Sequence, residues 1–95
     1  MLEPVIYILA SGKNGTIYTG VTSNLIKRVF QHKSGIVDGF SKKYDCKILV
    51  YYEVFNSIEG AISREKQLKN WKREWKIALI EKENKEWQDL YFELI

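Results

Sequence analysis

Short runs of β-branched and aromatic residues alternate along this 95-residue chain with stretches of helical spacing. Val5-Ile6-Tyr7-Ile8-Leu9 and Thr16-Ile17-Tyr18-Thr19-Gly20-Val21-Thr22 have strand composition. Gly12-Lys13-Asn14-Gly15 between them supplies residues that tolerate positive φ, so the pattern predicts a β-hairpin. Any even loop length pairs an odd position with an even one, which sends Tyr7 and Tyr18 out of the same face. With residues 13–14 at the turn, Tyr18 falls opposite Leu9 and diagonal to Tyr7, within aromatic reach.

Thr22, Ser23 and Asn24 are N-cap types for a helix from about Leu25 to Lys33. Leu25, Ile26, Val29 and Phe30 form its apolar stripe, and Arg28 and His32 stand together on the flank. Ser34-Gly35 closes it, residues 36–45 read as a connecting loop, and Ile48 to Phe55 read as a third strand. Asn56-x-x-Glu59 resembles a capping box opening a second helix. Its inner stripe is Ile58, Ala61, Ile62 and Leu68, and Glu65 falls within it. Continuing that stripe would draw Lys69 and Lys72 into the core, so a break is predicted near Asn70–Lys72. A third helix then runs through Trp75 and Leu79 to about Lys82, and Trp87, Leu90, Tyr91 and Leu94 form an amphipathic lid. The predicted fold is α+β, a single domain over residues 1–95. It comprises a small three-stranded antiparallel sheet flanked by three to four helices.

Composition narrows the classes. A chain 45% hydrophobic and 14% aromatic is globular rather than disordered. One cysteine, Cys46, and one histidine exclude an internal disulfide and a Cys/His zinc cage; Cys46 has no nearby base and is expected to be inert. No run reaches the ~20 apolar residues that span a bilayer. The start Met1-Leu2-Glu3-Pro4 lacks the basic opening of a secretory signal. The expectation is a cytoplasmic protein without membrane contact.

The net charge of +3 is unevenly spread. Residues 61–80 hold six basic groups against Glu65 and Glu74, whereas residues 81–95 are net acidic. Lys66, Lys69, Lys72, Arg73 and Lys76, interleaved with Trp71 and Trp75, are the candidate nucleic-acid contacts. The competing reading is a solvated face with both tryptophans turned to the core.

Several motifs now stand in order: Val5-Ile6-Tyr7, Tyr18-Thr19-Gly20, Leu25-x-x-Arg28-x-x-x-His32 and Ala61-x-x-Arg64-Glu65-x-x-Leu68-Lys69. Lys76-x-x-Leu79-Ile80 and Asn84-x-x-Trp87-x-Asp89-Leu90 follow. With them the chain resembles the GIY-YIG nuclease superfamily over essentially its whole length. It looks most like the small stand-alone, UPF0213-like branch related to the N-terminal domain of the UvrC excision-repair subunit. Val5 replaces the first glycine of that pattern and Thr19 the second isoleucine. Val21 stands where UvrC-like domains often carry lysine, and Lys85 where the branch tends to have proline.

The parts themselves suit phosphodiester cleavage, which needs a deprotonated water and stabilisation of charge on the phosphoryl oxygens. Glu65 is the candidate anchor for one Mg²⁺ or Mn²⁺, which would keep most of its waters. Arg28 can fork onto the non-bridging oxygens. A free phenol titrates near ~10, so acting as a base near neutrality takes about 4 kcal/mol of stabilisation of its anion. The favoured relay places Tyr18 as base with Tyr7 and His32 in support; His32 accepting the proton directly, or from Tyr18, is the alternative. Each residue also has an ordinary use: tyrosines as strand formers, Arg28 along the core edge, His32 on a carbonyl, Glu65 paired with Lys69.

The leading expectation is a metal-dependent endonuclease acting on DNA, in repair or in handling structured substrates, with RNA as an open alternative. A second is a catalytically silent nucleic-acid-binding module on the same scaffold. A third is a protein-interaction domain using Trp87, Tyr91 and Phe92. No small-molecule cofactor is expected.

Overall fold

The computed structural model describes residues 2–95. Strand β1 (Val5–Ala10) lies at the centre of a sheet of order β2-β1-β3, with β2 (Ile17–Thr22) and β3 (Ile48–Val54) antiparallel on either side. All six β1 residues are buried, because both faces of the sheet are covered. That explains a continuous apolar run rather than an alternating one.

The hairpin has the predicted register: Leu9 faces Tyr18 and Tyr7 faces Gly20. Asn14 takes the left-handed conformation at the turn (φ 58°), and Gly15 N–H donates to Gly12 O at 3.0 Å. A bulge shifts β3 against β1 between Ile8 and Leu9, so Ile8 faces Tyr51 and Leu9 faces Leu49.

One sheet face carries Val5, Tyr7 and Leu9 beneath helix α1 (Leu25–Lys33) and the short α5 (Tyr91–Leu94). The other carries Ile6, Ile8 and Ala10 beneath α3 (Ile58–Asn70) and α4 (Arg73–Glu83), with Trp87 packed beside them. The protein is therefore a three-stranded antiparallel α+β fold with five helices, two of them a single turn.

Helix α1 starts where expected, with Asn24 Oδ1 accepting from Lys27 N–H. Gly35, at φ 74°, closes it by donating to His32 O. The break after α3 also holds: Trp71 and Lys72 are extended, and α4 begins at Arg73. The lid is present too. Leu90 and Leu94 pack with buried Tyr91 on the first core, while Trp87 inserts into the core of the opposite face.

Four expectations are corrected. Residues 36–45 are not all loop, because α2 (Phe40–Lys43) forms one helical turn opened by Gly39 at φ 110°. The cap of α3 is Ser57, whose Oγ accepts from Gly60 N–H, rather than Asn56. Phe30, Ile58 and Ile62 are exposed, because their helices lie against the small sheet along narrower stripes than the four apolar positions predicted for each. Trp87 and Tyr91 are buried, which removes two of the three side chains behind a protein-interaction surface.

Candidate active site

Strand β2 is an edge strand, and α1 and α3 pass it on opposite faces of the sheet. Three of the predicted residues meet on the α1 face beside this edge. Tyr7 and Tyr18 leave the same face with ring centroids 6.3 Å apart, and His32 of α1 closes a three-ring cluster at 5.7 and 5.4 Å from them.

Gly20 is what makes the cluster possible. A Cβ there would lie 2.5 Å from Cζ and Oη of Tyr7, so the phenol occupies space that any side chain on β2 would fill. The Tyr-x-Gly spacing is therefore a packing requirement of the neighbouring strand.

Tyr7 is 1% exposed, and its Oη is hydrogen-bonded to His32 Nε2 at 2.9 Å. On the other side of the imidazole, Nδ1 meets Ser41 Oγ at 2.8 Å. Burial is the main force holding the Tyr7 phenol protonated well above the ordinary tyrosine range, and the neighbouring Tyr18 reinforces it. Arg28 pulls the other way and Glu65 adds a small upward push, so both charges are felt at this hydroxyl. Burial, then the Arg28 charge, lowers His32 to about 4, and the ring is neutral near pH 7.

The hydrogen bond of His32 goes to Tyr7, while its ring lies 5.4 Å from that of Tyr18. Ser41, which completes the row, lies in the segment read as loop. A Phe-Ser-Lys-Lys stretch carries no period or cap in the sequence that would have marked it.

Arg28 sits one turn before His32 and lines an open hollow of about 300 Å³ with Thr22, Asn24, Lys27 and Gln31. Glu65 comes from α3, with a side chain 15% exposed and paired to Lys69 Nζ at 3.1 Å. The ordinary helical ion pair is thus real, yet the carboxylate is not in bulk solvent. Arg64, its neighbour, forks onto Glu53 of β3 with both bonds at 3.0 Å and fixes α3 to the sheet.

Among the described residues no three His, Cys, Asp or Glu side chains gather, so no protein cage for a metal exists. A lone carboxylate whose partner is a half-exposed lysine suits a mostly hydrated Mg²⁺ or Mn²⁺, which needs one or two carboxylates beside its waters.

The candidate nucleic-acid contacts do not form one free row. Arg73 donates to the carbonyls of Asn14 and Gly15 at 2.8 and 2.7 Å, which braces the hairpin turn. Lys69 is on Glu65. Lys76 is partly buried, and burial with the charges of Lys69 and Arg73 disfavours its protonated form. Lys66 and Lys72 are exposed, and Lys72 lies over the ring of Trp75, which is itself half exposed.

Comparison with known proteins agrees with the fold. The profile of the GIY-YIG catalytic domain matches residues 3–78. A UPF0213 protein of Staphylococcus haemolyticus is 33% identical over 81 residues, covering 85% of this chain and 98% of that protein. A UPF0213 protein of Syntrophus aciditrophicus is 37% identical over 87 residues, covering 90% of this chain and 98% of the other. The solution NMR structure of the UPF0213 protein BH0048 from Bacillus halodurans aligns with a TM-score of 0.57 at 28% identity, over 92% of each chain.

Proposed function

This chain belongs to the GIY-YIG catalytic domain family, which points to a nuclease, and from that premise we propose a metal-dependent endonuclease that hydrolyses DNA phosphodiester bonds. The supporting observation is the cluster of two phenols and a neutral imidazole beside the β2 edge, whose buried Tyr7 hydroxyl feels the charges of both Arg28 and Glu65.

In this reading Arg28 binds the non-bridging oxygens of the phosphate from the open hollow and stabilises the charge that grows on them. Tyr18, half-buried and nearer to solvent than Tyr7, takes the proton of the attacking water. Tyr7 is a donor and not a base, because its burial opposes ionisation. With Ser41 donating to Nδ1, His32 Nε2–H donates to the Tyr7 oxygen, which turns the Tyr7 proton towards Tyr18 and steadies a Tyr18 phenolate. Glu65 would hold one Mg²⁺ or Mn²⁺, releasing Lys69, and the ion supplies charge neutralisation at the phosphate. Lys66 and Lys72 offer the remaining salt-dependent attraction for the backbone. Repair or processing of structured DNA in the cytoplasm is the setting this chemistry would serve.

The Lys69–Glu65 pair also favours a second reading, a catalytically silent nucleic-acid-binding module, since the lysine competes with any cation. Incubating the purified protein with supercoiled, nicked and branched DNA separates the two. Cleavage in Mg²⁺ or Mn²⁺ that stops in EDTA is expected. Cleavage that persists in EDTA contradicts the metal-dependent mechanism, and salt-dependent binding without any turnover selects the silent module.

A further inference from the structure

The single turn Phe40–Lys43 does more than bring Ser41 to His32. Phe40 stacks on Tyr18 with centroids 6.3 Å apart and planes 24° apart, and Tyr44 leans on Phe40 at 4.6 Å and 44°. Tyr18 in turn lies 6.3 Å from Tyr7. A continuous file of four rings therefore runs from buried Tyr7, through half-buried Tyr18, to Phe40 and Tyr44, which are 47% and 44% exposed. Two large apolar rings in water at the mouth of a polar site call for an occupant.

Charge and shape narrow that occupant. Lys43 Nζ lies 5.4 Å over the Tyr44 ring and has no carboxylate partner among the described residues. The two acids of this segment are each matched, Asp38 by Lys42 at 3.5 Å and Asp45 by Lys47 at 3.2 Å. Arg28 and Lys27 line the neighbouring hollow. Flat rings in series beside unmatched cations suit a strand whose bases stack while its phosphates meet the lysines. A paired duplex keeps its base faces covered by its own neighbours, so such a file engages bases that are unpaired.

We propose that Phe40 and Tyr44 form a stacking subsite for unpaired nucleobases beside the phosphate held at Tyr18 and Arg28. The substrate class is then a single-stranded or branched nucleic acid with unpaired bases at the point of cleavage. The placement of the phosphate rests on the nuclease reading, whereas base stacking itself requires no turnover.

The test is equilibrium binding in EDTA of three labelled ligands: oligo-dT, an abasic oligonucleotide of equal length and a blunt duplex. Wild type should prefer oligo-dT over the abasic strand by about 5- to 100-fold. Phe40→Ala and Tyr44→Ala should each shrink that preference, with abasic and duplex binding moving by no more than about twofold, and Phe40→Trp should retain it. Equal binding of oligo-dT and abasic strand by wild type overturns the proposal, and this arm needs no variant to fold. An equal loss on all three ligands in both alanine variants also overturns it. So does dimerisation that Phe40→Ala abolishes while the base preference survives, because the rings would then serve a second copy. Wild type that prefers bases but cleaves nothing with Mg²⁺ or Mn²⁺ keeps the subsite and removes the catalytic reading. Cleavage without a base preference does the reverse.

Discussion

Tyr7 has no room to move, and that confinement gives two predictions at the scale of single residues. Gly20→Ala puts a methyl into the phenol ring, where the nearest atoms belong to a fully buried side chain. It should destabilise the fold by about 1–3 kcal/mol, read as a lower midpoint in thermal or urea unfolding. A variant as stable as wild type would mean that the ring relocates freely. His32 supplies the second. It titrates at about 4 in the fold and near ~6.5 unfolded, so between those values the unfolded chain binds a proton that the folded one refuses. Stability present above pH ~6.5 should fall by up to about 3 kcal/mol as the pH drops to 4, and His32→Asn should lack that component. A parallel pH profile in the variant would contradict it. The tyrosines and His32 were legible because strand alternation and i, i+4 spacing fix where side chains point. Ser41 was not, since a lone serine between two loops carries no period, and neither was the Tyr7–His32 pairing, which depends on a tertiary contact 25 positions apart.

At the scale of elements, the C-terminal segment covers the outer edge of β3. Asp89 Oδ1 accepts from the backbone of Leu49 and Tyr91, and its other oxygen is paired with Lys33 of α1. Asn84 Nδ2 donates to Val50 O and Gln88 O, and Leu90 N–H donates to Leu49 O. An edge strand otherwise left open is thereby satisfied by the chain's own tail. Asp89→Ala should cost about 2–4 kcal/mol, since it leaves two backbone donors unpaired and takes from Lys33 its carboxylate, with only the Lys47 carbonyl left to that ammonium. Amide exchange at Leu49 and Tyr91 should accelerate selectively; uniform exchange across the sheet would contradict a local clasp. The tail was legible as an apolar lid through Trp87, Leu90, Tyr91 and Leu94. Its hydrogen bonds were not, because Asn84 and Asp89 look like ordinary turn residues until β3 lies beside them. The α3 cap moved from Asn56 to Ser57 for a local reason: both are good caps one position apart, and sequence does not choose between them.

At the scale of the whole molecule, the site exists because β2 is an edge strand that α1 and α3 reach from opposite sides. A central strand would have buried the same residues beyond access to any phosphate. The hairpin register, and with it the common face of Tyr7 and Tyr18, followed from periodicity and turn chemistry, whereas His32 joined them only through the family resemblance. The basic helices were read too simply. A row of five cations in sequence becomes one brace on the hairpin, one partner for Glu65, one half-buried lysine and two exposed lysines. Among the described residues, no helix is long and apolar enough to cross a membrane.

The claim on which the rest depends is that the shielded Glu65 carboxylate serves hydrolysis rather than the helix ion pair alone. Single-turnover nicking of supercoiled DNA in Mn²⁺, comparing wild type with Glu65→Gln at matched DNA occupancy, addresses it directly. Glu65→Gln should bind DNA and fold as wild type does while losing about 100-fold or more of the rate. Nicking by Glu65→Gln at the wild-type rate would contradict the account.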